Sequence, residues 1–139
     1  MNEREGTARV WAIVVGIVLV AVGLLGFVSN PLVGDSSTAL LHTDRMHDIV
    51  HIATGALALF IGLGLSGRDQ AVGLIGFGVL YAVVFAAMMV SPDLFGLMSM
   101  PANAPLHVIH AALALGSLVI GYLALQHVAG ARQLGRGAV

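Results

Sequence analysis

Residues 71–90 read AVGLIGFGVLYAVVFAAMMV and contain no charged side chain. About 20 residues of α-helix cross the hydrocarbon core of a bilayer, which is about 30 Å thick. A run of this length and composition therefore predicts a transmembrane helix. Three other apolar runs are similar, and the four predicted spans cover about residues 10–28, 46–65, 71–90 and 106–128.

The composition of the whole chain agrees with a membrane protein. Of its 139 residues, 58% are hydrophobic and 9% are charged, whereas soluble domains carry about 25% charged residues. The formal net charge is −1 and Lys is absent, which leaves too little basic surface to bind nucleic acid. The absence of Cys excludes disulfides, thiolate metal sites and Cys nucleophiles. We expect one all-α domain over residues 1–139, with the lipid bilayer as its main partner.

The distribution of arginine predicts the orientation of the spans, because basic residues that flank spans stay in the cytoplasm. Arg45 lies between the first and second spans. The other arginines all fall on the opposite side of the predicted membrane, and they are Arg4, Arg9, Arg68, Arg132 and Arg136. The sequence thus predicts a multi-pass membrane protein with both termini in the cytoplasm. The connections at 29–45 and 91–104 are then extracytoplasmic.

The two halves of the chain resemble each other. Residues 16–34 match residues 78–96 at an offset of 62, and His51 matches His110 at an offset of 59. These matches indicate duplication of a two-helix unit, with copies at about residues 10–66 and 70–128. Because each copy has two spans, both insert in the same direction. The predicted fold is a four-helix transmembrane bundle made of two repeated helix pairs.

Two pairs of histidines stand at the predicted extracytoplasmic ends of spans two and four. His47 and His51 are four residues apart, and His107 and His110 are three apart, so each pair shares one face of its helix. Small residues continue both faces, and small residues are where transmembrane helices pack closely. These residues are Gly55, Ala58 and Gly62 on span two and Ala114, Ser117 and Gly121 on span four. We expect both histidine faces to lie inside the bundle.

The sequence leaves three interpretations of these histidines open. In the first, each imidazole bonds a backbone carbonyl or the side chain of Asp44, Asp48 or Asn103 on another helix and stabilises packing. In the second, His51 and His110 ligate a haem b between two parallel helices, where the small residues make room for the macrocycle.

A copper or zinc site is the third interpretation. Its tentative ligands are the four paired histidines, His47, His51, His107 and His110, with Asp44 or Asp48 orienting the imidazoles. Met98 and Met100 would add sulfur ligands suited to Cu(I).

No catalytic motif accompanies these residues. The sequence has no nucleophile elbow, no phosphate-binding glycine loop and no His-Glu-x-x-His helix. We therefore expect a structural or accessory subunit without catalytic activity of its own, in a homo-oligomer or a larger membrane complex. The alternative is a haem- or metal-binding membrane protein that uses His51 and His110.

The positions of two aromatic residues along their spans predict their roles. Trp11 at the start of span one predicts an interfacial anchor, and the Tyr122 hydroxyl is expected to bond an acceptor inside the bundle.

The combination of a Gly-rich first span, His51-Ile-Ala-Thr-Gly55 and Asn103-Ala-Pro-Leu-His107-Val-Ile-His110 resembles a known family. This is a family of small bacterial four-span membrane proteins catalogued as a domain of unknown function. The second copy departs from the pattern, with Ala114 in the place of Gly55. The resemblance implies the four-span topology and a location in a bacterial inner (cytoplasmic) membrane, and it implies no activity.

Overall fold

A computed structural model describes residues 3–99 and 101–136 of the chain. Four helices dominate it, and they are α1 (Glu3–Leu25), α2 (Arg45–Gly64), α3 (Gly67–Val90) and α4 (Ala104–Arg136). Each of them contains a segment long and apolar enough to cross a membrane. The predicted all-α bundle of four spans is confirmed, and the chain is a multi-pass membrane protein.

The helices pack as two hairpins. Helix α1 packs along α2, helix α3 packs along α4, and α1 also contacts α4. Among the described residues, no Cα atom of α2 lies within 8 Å of a Cα atom of α4. These two helices are therefore not neighbours in the bundle, and only long side chains can join them.

Close packing inside each hairpin depends on glycine. A Cβ atom added to Gly16 of α1 would lie 2.7 Å from Leu59 Cγ of α2, and one added to Gly78 of α3 would lie 2.8 Å from Leu118 Cγ of α4. Neither position has room for a side chain, so the two backbones approach each other directly. The two contacts correspond at the offsets of 62 and 59 residues.

The connection after α1 contains structure that the sequence did not predict. Helix α1 ends at Leu25, three residues before the predicted end of the span. Asn30 Nδ2 donates to the carbonyl oxygens of Leu25 at 2.8 Å and Val28 at 2.7 Å, which provides partners for groups left free at a helix end. The connection then forms two short parallel strands, β1 (Val33–Gly34) and β2 (Leu41–His42).

Asp44 fixes the connection between α3 and α4 against the start of α2. Its Oδ1 atom accepts a hydrogen bond from the backbone N–H of His47 at 2.9 Å, as an N-cap does. Its Oδ2 atom accepts from the backbone N–H of Ser99 and, at 2.9 Å, from the Ser99 hydroxyl. The two long connections therefore meet at the end of the bundle where the histidines lie.

Two aromatic residues make contacts that the sequence did not predict. The Trp11 indole N–H donates to Ser117 Oγ at 3.0 Å, so the ring packs between α1 and α4 as well as lying near the end of a span. Tyr122 is 56% exposed, and its hydroxyl accepts from Gln126 Nε2 at 2.8 Å. The prediction of an acceptor inside the bundle is wrong, because position 122 lies on the outer face of α4.

Candidate metal centre

Three imidazoles meet between α2 and α4. Helix α2 contributes His47 and His51, whose ring centroids are 4.5 Å apart. Helix α4 contributes His110, whose centroid lies 5.7 Å from that of His47 and 6.1 Å from that of His51. One ligand nitrogen from each residue lies within 4.8 Å of the other two. The three side chains can therefore reach one common point.

The three histidines are buried without protein partners for several of their nitrogens. Their side chains are only 2–3% exposed. Both ring nitrogens of His51 and the Nδ1 atoms of His47 and His110 have no hydrogen-bond partner in the described structure. A buried polar atom left unpaired costs about 1–3 kcal/mol, and folded proteins rarely retain such atoms without a reason. The cluster therefore presents buried imidazole nitrogens that could bind a ligand.

Tyr81 of α3 packs against the cluster at His110. Its ring centroid lies 5.7 Å from that of His110, and its hydroxyl lies 2.9 Å from Thr54 Oγ1. Because the Thr54 hydroxyl donates to the carbonyl oxygen of Val50 at 2.8 Å, its oxygen is left to accept from Tyr81. Sequence analysis missed Tyr81, although it is the one polar side chain of residues 71–90. A single polar residue in an otherwise apolar span is the signal that could have identified Tyr81.

The fourth predicted ligand, His107, lies outside the group of three. Its ring meets that of Phe85 edge to face, with 6.3 Å between the centroids, and its Nδ1 atom is also buried without a partner. Met98 is 5% exposed, and Met100 lies outside the described residues. The described geometry therefore assembles three nitrogen ligands.

The two aspartates proposed to orient the imidazoles have other neighbours. Asp44 caps α2 and bonds Ser99, as described above. The carboxyl group of Asp48 lies against Gly26 at the end of α1. Both residues still lie at the start of α2, the helix that carries His47 and His51.

The spacing of the rings bears on the haem alternative. A macrocycle ligated by His51 and His110 needs the space between and beside their imidazoles. His47 occupies part of that space, since its ring lies 4.5 Å from His51 and is stacked on His110 at 5.7 Å. The arrangement favours a single ion over a haem.

Comparison with known families agrees with the fold. A family model described as Domain of unknown function (DUF4383) matches residues 9–123. The chain belongs to this family. The residues that match the DUF4383 model include α2, α3 and all three clustered histidines. This match confirms the resemblance noted in the sequence. No curated protein and no solved structure matches the chain. The description of DUF4383 names no activity, so the chemistry of the cluster rests on its geometry.

Proposed function

We propose that the protein binds one transition-metal ion through His47, His51 and His110. The observation that carries this proposal is the group of three buried imidazoles whose ligand nitrogens lie within 4.8 Å of one another and largely lack hydrogen-bond partners. Neutral imidazole suits zinc and copper. An ion would bind the lone pair of one nitrogen of each imidazole and so provide a partner for buried atoms that are costly to leave unpaired.

The distances allow such coordination after a small adjustment. Zinc lies about 2.0–2.1 Å from imidazole nitrogen, so two nitrogens on one tetrahedral ion are about 3.4 Å apart. From the present limit of 4.8 Å, each pair of nitrogens has to approach by at most about 1.4 Å. Three protein ligands leave a fourth position for water, a small ligand or another side chain.

Charge near the cluster supports binding of a cation. His47 lies in the first turn of α2, and His51 and His110 lie in the second turns of α2 and α4, near helix ends whose positive dipoles alone disfavour a cation. Asp44 and Asp48 lie at the same end of the bundle and offset this effect. We also propose that this end is extracytoplasmic in a bacterial inner membrane, as the arginine distribution favours.

An accessory subunit without a ligand, alone or in a larger membrane complex, is the competing proposal. It requires that the buried imidazoles be bonded within the protein. In the described part of the chain, four nitrogens of His47, His51 and His110 have no such bond. This is the reason to prefer metal binding.

Metal analysis of the protein purified in detergent tests the proposal. We expect about one zinc or copper ion per chain after loading and dialysis, and loss of that ion in His51→Ala and in His110→Ala. The double variant should lose no more than either single variant, because ligands of one ion act as a unit. His42→Ala is the control, since His42 lies in β2, outside the group. Loaded wild-type protein without metal would exclude the proposal and leave the accessory role.

A further inference from the structure

A polar cavity lies where α1, the first connection and α2 meet. Its volume is about 250 Å³, and acidic side chains in its lining are Asp35, Asp44 and Asp48. Arg45 is the one basic residue in this lining, and it is exposed. Among the described residues, the cavity offers oxygen ligands without imidazole or sulfur. Its donor set therefore differs from that of the histidine cluster.

Two buried side chains that carry oxygen atoms line this cavity. Asp48 is 1% exposed and Thr43 is 0% exposed. In the described structure, neither Asp48 Oδ1 nor Thr43 Oγ1 makes a hydrogen bond of normal geometry. The Thr43 hydroxyl lies within weak hydrogen-bonding range of the Asp48 carboxyl group, and both side chains line the cavity, so one ion there can lie beside both. A buried carboxylate with only one weak partner is costly, and a cation in the cavity would interact with both oxygens.

Gly26 makes room for the Asp48 carboxylate. A Cβ atom added to Gly26 would collide with the carboxyl carbon and both carboxyl oxygens of Asp48. Any larger residue at position 26 would thus displace the carboxylate. The end of α1 is shaped around this side chain, which places its oxygens in the wall of the cavity.

We propose that this cavity binds a calcium ion, with Asp48 and Thr43 as buried ligands. Calcium takes 6–8 oxygen ligands in flexible geometry, whereas magnesium demands a near-ideal octahedron. The cavity combines carboxylates, hydroxyls and backbone carbonyls from an irregular connection, which suits calcium. The site is separate from the histidine cluster and does not depend on metal binding there.

Calorimetric titration of the detergent-purified full chain with calcium chloride, after removal of metals with chelator, tests the site. We expect one calcium ion per chain with a dissociation constant of about 10⁻⁴–10⁻³ M, the range of extracellular calcium modules. Asp48→Asn should weaken binding about tenfold or more, because even indirect partners of a bound metal contribute that much. Asp69→Asn makes the same charge change in the first turn of α3, away from the cavity, and should bind as wild type does.

Other variants keep the proposal testable if Asp48→Asn does not fold. Thr43→Val changes no charge and should also weaken calcium binding, while His51→Ala should leave it unchanged. Wild-type protein that binds no calcium, or binds magnesium more tightly, would overturn the proposal. An unchanged dissociation constant in Asp48→Asn or Thr43→Val would do so as well. Loss of calcium binding in a folded His51→Ala would show that the two sites are not separate.

Discussion

The imidazole rings of His47 and His110 are stacked, with centroids 5.7 Å apart and planes inclined by 11°. One ring comes from α2 and the other from α4, two helices whose backbones do not approach each other in the described residues. The cluster therefore exists only when both hairpins are assembled. An ion bound there would link the two halves of the bundle.

This link predicts that metal stabilises the fold. A ligand that binds only the native state at 100 times its dissociation constant adds about 2.7 kcal/mol to the free energy of unfolding. We expect zinc at that excess to raise the thermal unfolding midpoint of wild-type protein in detergent. His110→Ala should lose most of this rise, and His42→Ala should retain it. An equal rise in His110→Ala would mean that zinc acts elsewhere on the protein.

Packing at Gly62 and Gly121 predicts intolerance of large side chains. A Cβ atom would lie 2.8 Å from Ile13 Cγ1 at the first position and 2.9 Å from Ile75 Cγ1 at the second. Gly62→Leu and Gly121→Leu should each destabilise the protein by about 1–3 kcal/mol or more, as overpacking does.

Leu63 provides the control for these variants, since it is 68% exposed. Leu63→Ala should change stability by about 0.5 kcal/mol or less. Thermal unfolding of the detergent-purified variants measures the difference, with size-exclusion chromatography after heating to quantify the protein that stays folded. Equal stability of Gly62→Leu, Gly121→Leu and Leu63→Ala would contradict the close helix packing at the two glycines.

The arginine distribution predicts the topology directly. A reporter fused after Val139 should behave as cytoplasmic, and one inserted beside Ser37 should behave as extracytoplasmic. Alkaline phosphatase, which is active outside the cytoplasm, and a fluorescent protein that matures inside it give opposite signals for the two positions. The reverse pair of signals would place the histidine cluster on the cytoplasmic side.

The four helices were predictable because bilayer thickness sets the length of a span and composition marks it. The end of α1 was less predictable, since it depends on Asn30 bonding the carbonyl oxygens of Leu25 and Val28. The pairing of β1 with β2 was not predictable from residues 33–34 and 41–42, which are too short to show a strand pattern. The duplication stays a prediction, which the matching contacts of Gly16 with Leu59 and Gly78 with Leu118 support.

The candidate site was predictable in part. Helical periodicity places His47 and His51 on one face with Gly55, and that face is buried in the structure. Periodicity cannot distinguish His107 from His110, because the choice depends on contacts with other helices. Phe85 lies beside His107, while Tyr81 lies beside His110. Those contacts arise from the packing of α3 on α4. The periodicity of a single helix does not predict how it packs on another.

X-ray absorption spectroscopy of zinc-loaded protein in detergent tests the central claim most directly, because it reports the atoms around the ion. If His47, His51 and His110 bind one zinc ion, the spectrum should show about three imidazole nitrogens at about 2.0–2.1 Å. The outer-shell signal of the imidazole rings should fall by about one third in His110→Ala if any zinc remains. A spectrum of wild-type protein with oxygen ligands and no imidazole signal would contradict the account.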